Sequence, residues 1–275
     1  MSLEVSVVMP VRNAEKFVRL AVLSTLMALP KSSELILVND GSTDRTLARI
    51  SSITDDRLRI IDGPGRGLVS ALNFGLSLAR GRYVARMDAD DVCFPWRFSA
   101  QIRRMKANPS LDILFSTALA FGRPMLPFYA VPQLPWSLNS IEFGQVLARR
   151  NPAVHPTMFA KRLVLEALHG YHDCPAEDEE LWLRASLQKY KLARSFLPTI
   201  GLRLHRGQTT RQETWKNSQE IDLLVPALRN QLAKSLEEPS SVKSPFFRAL
   251  DFMETNGFSS LSILARNLWI VFFRQ

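Results

Sequence analysis

The stretch GLVSALNFGLSLARGRYVARMDADD, Gly67 to Asp91, decides how this chain folds. Apolar residues recur at helical spacing through its first half, and Gly81 reads as the stop of that helix. RYVARM then reads as a short strand, which ends on three aspartates within four positions: Asp88, Asp90 and Asp91. A helix, a strand and a knot of carboxylates at the strand end fit a parallel sheet whose ligands gather at the carboxyl ends of its strands. Carboxylates this close repel one another. A hard divalent cation such as Mg²⁺ or Mn²⁺ would cancel a repulsion that otherwise raises a carboxylate pKa. The competing reading is an acidic turn capping a helix opened by DDVCFPWRF.

The pattern repeats toward the N-terminus. VSVVMP (Val5–Pro10), ELILVND (Glu34–Asp40) and LRIID (Leu58–Asp62) read as strands, with AEKFVRLAVLSTLMAL and STDRTLARISSI as helices between them. With RYVARM, strand and helix alternate four times, which predicts an α/β fold with a mostly parallel central sheet and helices on both faces. Beyond residue 109 the alternation weakens. LDILFSTALAF reads as a strand, RPMLPFYAVPQLPW as an irregular connection, NSIEFGQVLARR as a helix, and NPAVHPTMFAKRLVLEALHGYH as loop, strand, helix and turn. AEDEELWLRASLQKY is a helix with an acidic first turn, and the last seventy residues look mostly helical.

Composition narrows the class. The 275 residues are 46% hydrophobic and 22% charged, which is globular. A net charge of +9 favours an anionic partner such as a phosphorylated substrate or an acidic membrane face. The basic residues are scattered, so no nucleic-acid-binding tail is expected. Cys93 and Cys174 form no metal-ligand pair and no disulfide framework, and no leader-like segment opens the chain; a cytoplasmic location is expected. The apolar tail LSILARNLWIVFFRQ is broken by Arg266 and Asn267. It suits either a last element packed on the domain or a segment lying in a membrane interface.

Three further segments carry candidate chemistry. In LVNDGSTDRT, Asp40-Gly41 signals a turn, Ser42 or Thr43 can cap the next helix, and Asp40 could accept hydrogen bonds from a nucleobase or sugar. GPGRGL has Leu68 where a dinucleotide fingerprint needs its last glycine, and no P-loop pattern is present. In PAEDEELWLR, Leu181, Trp182 and Ala185 form the buried stripe; this spacing turns Asp178 toward a cleft, as a possible general base, and predicts solvent-facing Glu179 and Glu180. In GLRLHRGQTTRQ, His205 and Arg203 share one face of a strand end and could meet a diphosphate or its metal.

In this order, VSVVMPVRNAEKFV, LVNDGSTD, GLVSALNFGLSLARGRYVARMDADDVCFPWRF and NPAVHPTMFAKRLVLEALHGY with AEDEELWLR resemble the family 2 glycosyltransferases of bacterial surface-polysaccharide synthesis. The resemblance covers about residues 4–211. It implies a GT-A fold over residues 1–211, with a nucleotide-binding half (1–108) and an acceptor-binding half (109–211), followed by a helical extension (212–275). It also implies roles. Pro10, Val11, Arg12 and Asn13 would border the nucleobase and Asp40 would hydrogen-bond it. Asp88, with Ala89 beside it, would touch the ribose or metal. Asp90 would ligate Mn²⁺ or Mg²⁺, with His205 near the ion. Asp178 of the Glu177-Asp178 pair would be the catalytic base. Arg66, Asn73, Asp91 and Arg203 complete the implied site. Arg12 stands where the family commonly has an aromatic residue, and Asn39 where it frequently has Asp.

The implied reaction is an inverting transfer from a nucleotide-diphosphate sugar, of the UDP class, to a hydroxyl of a glycan or lipid-linked acceptor. Two other readings compete. A nucleotidyltransferase also uses strand-end acids and a metal, but usually carries a glycine-rich loop after its first strand, where this chain has VRNAEKF. A non-catalytic sugar-nucleotide-binding protein of the same fold would not need both Asp90 and Asp178.

Overall fold

A computed structural model describes residues 3–122, 129–130, 137–205 and 223–236. In its N-terminal half, β1 (Val5–Val11), β2 (Ser33–Asn39), β3 (Leu58–Asp62) and β4 (Tyr83–Arg86) run parallel in the order β3-β2-β1-β4. Helices α1 (Val18–Ala28), α2 (Thr46–Ile50) and α3 (Leu68–Ser77) make the crossovers. All four strands therefore end at one edge, as the alternating pattern predicts.

The second half extends the same sheet. After β4 come β5 (Val92–Cys93), α4 (Arg97–Ala107), β6 (Ile113–Phe121), β7 (Tyr129–Ala130), α5 (Ser140–Leu147), a 3₁₀ turn (His155–Thr157) and β8 (Phe159–Lys161). Then follow α6 (Arg162–Ala167), α7 (Glu177–Leu187), β9 (Leu192–Arg203) and α8 (Leu224–Leu236). The sheet continues β4-β8-β6-β9-β5, with β7 paired to β6. β8 is antiparallel to β4 and β6, β6 and β9 are parallel, and β5 is antiparallel to β9.

Every residue of β1 and β2 is buried, which explains their near-continuous apolar runs. Alternate residues feed two cores. Val5, Val7 and Met9 pack with residues of α1 and α4 on one face, and Val8, Ile36 and Val38 with residues of α3, α5, α7 and α8 on the other. Val225 and Leu232 of α8 lie in the same core as Trp182 of α7, so the start of the C-terminal stretch is part of the packed domain.

Several expectations are corrected. Helix α3 is capped at Leu78, not Gly81. Gly81 instead lets the chain pass against β1: an added Cβ would lie 2.4 Å from the Ser6 nitrogen. Neither Ser42 nor Thr43 caps α2; its first-turn Thr46 nitrogen donates to Asp44 Oδ1 at 2.9 Å. The aspartate cluster does not cap a helix either, because β5 intervenes before α4. No helix among the described residues is long and apolar enough to cross a membrane. The tail from Phe258 to Gln275, and the proline-rich connection apart from β7, lie outside the described residues.

Candidate active site

The carboxyl edge of the parallel strands is laced together by polar side chains. Asn13, held at φ 53° just beyond β1, accepts from the Thr43 nitrogen (2.8 Å) and donates its own backbone N–H to Ser42 Oγ (3.1 Å). Asn39 accepts from the Ser42 nitrogen (3.1 Å) and donates to Asp62 Oδ1 (2.9 Å). Ser42 and Thr43 thus tie two loops together. Pro10 and Val11 are buried at the end of β1, whereas Arg12 is exposed.

Asp40 sits just past β2 and is 4% exposed. Its backbone N–H donates to Val11 O (2.9 Å), and its Oδ2 accepts from the Gly67 nitrogen (2.8 Å). Gly67 has φ 97°, a conformation costly for any side chain. Asp40 Oδ1 is buried with no hydrogen-bond partner among the described residues. An anionic oxygen left so is a standing acceptor for an N–H. Arg66, the neighbour of Gly67, is exposed in the same loop.

Two strands away, β4 delivers the acidic cluster. Ligand oxygens of Asp88, Asp90 and Asp91 lie within 4.8 Å of one another. Asp88 is gripped from two sides by the buried Arg86 guanidinium, at 2.9 and 2.5 Å. Asp90 Oδ2 meets His205 Nε2 at 2.8 Å. Asp91 is 1% exposed; its Oδ1 accepts from the Arg203 nitrogen (2.8 Å), and its Oδ2 has no partner among the described residues. Burial raises the carboxyl pKa of Asp88, with Arg86 opposing and Asp90 adding to the rise. Asp91 is pushed well above the usual range by burial, then by Asp88 and Asp90. The Arg86 fork offsets part of the charge on Asp88, and three carboxylates converging at one strand end, with one orphaned oxygen on Asp91 and the His205 imidazole beside Asp90, suit a hard divalent cation. Asp90, Asp88 and His205, backed by Asp91, would hold it.

Arg203 serves the same loop rather than standing open. Its Nε donates to the Asp90 carbonyl (2.8 Å), and its guanidinium lies over the rings of Phe17 and Phe121 at 4.7 and 4.5 Å. The Phe17 ring also meets His205, centroids 4.9 Å apart. Ala89 is buried between the two aspartates.

The second acidic pair opens α7. Asp178 accepts from the Glu179 nitrogen (2.7 Å) and from Asn151 Nδ2 (3.3 Å). Burial raises its pKa against these bonds and against Arg86. Glu177 is pushed up to about 7, by burial and then by Asp178. The two hydrogen bonds to Asp178 favour its ionised form and oppose the rise that burial imposes on it. His155 Nδ1 is 3.7 Å from Glu177, and its Nε2 meets Tyr171 Oη at 3.0 Å. Burial, then Arg86, holds His155 well below its usual pKa, so it is neutral.

Arg86 joins the two acidic groups. Besides its fork on Asp88, it lies within electrostatic reach of Glu177 and Asp178. Thus Asp88 and Asp178, ninety residues apart, share one buried cation. Sequence spacing does hint at Arg86, the last residue of β4, two positions before Asp88. His155 and Tyr171 carry no such signal.

One expectation about α7 fails here. Glu179 and Glu180 are not solvent-facing, at 7% and 2% exposure. Glu180 pairs with Arg184 and His172, and Glu179 with Arg229 of α8. Asn73 of α3 bonds the Tyr171 backbone with its amide, donating to O (2.8 Å) and accepting from N (2.9 Å), which ties α3 to the turn after α6.

A parallel half-sheet with acids along its carboxyl edge, continued by a mixed half carrying a second acid pair, defines a GT-A type protein. A crystal structure of S. aureus TarS 1-349 in complex with UDP-GlcNAc shares this fold, with a TM-score of 0.64 at 19% identity over 94% of this chain and 75% of that one. The model of the family described as Glycosyl transferase family 2 matches residues 6–160, and the chain belongs to that family. Among curated relatives, the amylovoran biosynthesis glycosyltransferase AmsE of Erwinia amylovora is 31% identical over 183 residues, 64% of this chain and 65% of AmsE. The chain thus spans about two thirds of that relative's length. WfaP of Escherichia coli, a UDP-Glc:alpha-D-GlcNAc-diphosphoundecaprenol beta-1,3-glucosyltransferase, is 28% identical over 207 residues, 75% of this chain and 79% of WfaP.

Proposed function

We propose that this chain is an inverting glycosyltransferase that moves a sugar from a UDP-class donor to a hydroxyl of a glycan or lipid-linked acceptor in surface-polysaccharide synthesis. The observation that carries the reading is the gathering of the aspartate cluster and the Glu177-Asp178 pair around Arg86, at the carboxyl edge where such folds bind ligands. The orphan oxygen of Asp40 suits the imide N–H of uracil. TarS has been solved with UDP-GlcNAc and WfaP is named for UDP-Glc, which supports a UDP-sugar.

Asp178 accepts the proton of the acceptor hydroxyl while that oxygen bonds to the anomeric carbon. The bond from that carbon to the diphosphate oxygen breaks on the opposite side, so configuration inverts. Asn151 and the Glu179 N–H fix the carboxylate's aim, and Glu177 beside it, pushed up to about 7 by burial and then by Asp178, titrates near neutrality. A bound Mn²⁺ or Mg²⁺ would supply Lewis-acid neutralisation of the departing diphosphate.

The test is Asp178→Asn. A general base is worth about 10²- to 10⁴-fold. Turnover should fall by about that factor while calorimetric UDP affinity stays at the wild-type value. Equal turnover in the variant would falsify the assignment. A chain that hydrolyses and transfers no nucleotide sugar, yet binds UDP, would instead be a binding protein.

A further inference from the structure

We propose that the groove between α4 and the β6–β9 pair is a second binding site, for a phosphate-class oxyanion, separate from the aspartate cluster. It does not rest on the glycosyl-transfer reading. Leu114 and Ser116 of β6 and Ser195, Leu197 and Thr199 of β9 flank the place where the β6–β9 register shifts, between Arg194 and Ile200. Helix α4 covers this place incompletely and leaves a cavity of about 320 Å³ lined by these residues.

The wall of this cavity is rich in donors and poor in acceptors. Arg103 and Arg104 line it, and neither guanidinium has a carboxylate partner among the described residues. None of the lining residues is acidic. Thr199, 1% exposed, has an Oγ1 without any hydrogen-bond partner among the described residues. Ser195 Oγ accepts from the Leu197 nitrogen (3.2 Å), and Ser116 Oγ accepts from Gln101 Nε2 (3.2 Å), so both hydroxyl hydrogens remain to be given. Two arginines without a carboxylate partner and three hydroxyl-bearing residues lining one cavity suit an electron-rich, doubly or triply accepting ligand, and a phosphate group meets that demand. The contrast with the neighbouring basic residues is local: Lys106 on the same helix is already paired with Glu4, and Lys161 with Asp112. Leu114 and Leu197 add an apolar wall, which suits a phosphate carried on a larger molecule.

The test uses the full chain and pyrophosphate, with chelator present so that no divalent ion bridges it to the aspartates. Calorimetry should show saturable binding. Arg103→Ala/Arg104→Ala should weaken it about tenfold or more, and Thr199→Val, nearly the same shape, several-fold. Asp90→Ala should bind pyrophosphate like the wild type, and the double variant should bind UDP with Mn²⁺ like the wild type, which excludes a collapsed fold. Vesicles of phosphatidylglycerol in phosphatidylcholine identify the source of the phosphate. Sedimentation with them that pyrophosphate competes, and that the double variant loses, assigns a lipid headgroup. Pyrophosphate binding without sedimentation assigns a soluble phosphate. A wild type that binds neither, or a double variant as competent as the wild type, overturns the proposal.

Discussion

At the residue scale, Asp40 shows how an unsatisfied atom can be more informative than a satisfied one. One carboxylate oxygen is committed to the Gly67 N–H, which fixes the side chain; the other is buried and unpaired. Burying such an oxygen costs stability unless something arrives to use it. Asp40→Asn tests this cleanly. Its amide oxygen can still accept from Gly67, but an NH₂ group then stands where an acceptor stood, facing a donor on the base. A hydrogen bond to a charged group is worth about 1.5–3 kcal/mol, so UDP affinity measured by calorimetry should fall by about tenfold or more, with the melting temperature no lower than that of the wild type. Unchanged affinity would remove Asp40 from the base pocket. Asp40, Asp90 and Asp178 were legible because each stands at a strand end or helix start beside a turn signal. Arg203 was legible only as a cation near the site. That its guanidinium is held by two phenyl rings and a carbonyl depends on contacts with Phe17 and Phe121, far away in sequence.

At the element scale, the opposite end of the sheet carries a buried acid network unrelated to the site. Glu34, at the start of β2, is 2% exposed. It accepts from Ser6 Oγ (2.7 Å), Arg59 Nη1 (2.6 Å), and Arg80 through both its backbone N–H (3.0 Å) and Nη2 (2.8 Å). Burial pushes its pKa up, but these bonds outweigh it and bring the carboxyl down from 4.5 to about 2. A pKa depressed by folding adds stability above the unfolded value and loses it as pH falls through the folded one. The network therefore ties β1, β2, β3 and the turn after α3 at neutral pH, and this contribution should fade between pH 4.5 and 2. Glu34→Gln should melt lower than the wild type at pH 7, and the gap between their melting temperatures should narrow toward pH 2. A gap that stays constant across that range would show the network contributes no charge-dependent stability. Nothing in ELILVND distinguishes this Glu from an exposed first residue of a strand. The strands themselves were readable, because burial on both faces writes a continuous apolar run. The α7 glutamates misled for the matching reason: helical phase places Glu179 and Glu180 away from one core face, but α8 and Arg184 meet them there.

At the scale of the whole molecule, two cores back to back on one sheet divide the labour. The α1–α4 core seats the loops around Asp90, and the α3–α5–α7–α8 core seats Asp178 and Glu177. The relative position of the aspartate cluster and the Glu177-Asp178 pair thus depends on how firmly α7 is held, and α8 is part of that hold. It buries Val225 and Leu232 against α7 and α5 and brings Arg229 to Glu179 (2.5 Å). The sequence pattern showed a helix in this region but not what it covers, since the partner surface is assembled from α5 and α7, forty to ninety residues earlier. Removing α8 would expose those two apolar contacts, worth about 1.5–3 kcal/mol each, and leave Glu179 without its guanidinium. A chain stopping at residue 222 should therefore be less stable than one stopping at residue 236 by about 3 kcal/mol or more, read from urea unfolding of the two proteins. The same comparison bears on catalysis. If α8 holds α7 in place, the shorter chain should lose turnover more than it loses UDP affinity, because the loop that carries Asp90 rests on the other core. Equal stability of the two chains would mean that α8 merely lies on the domain, and that α7 keeps Asp178 in position unaided.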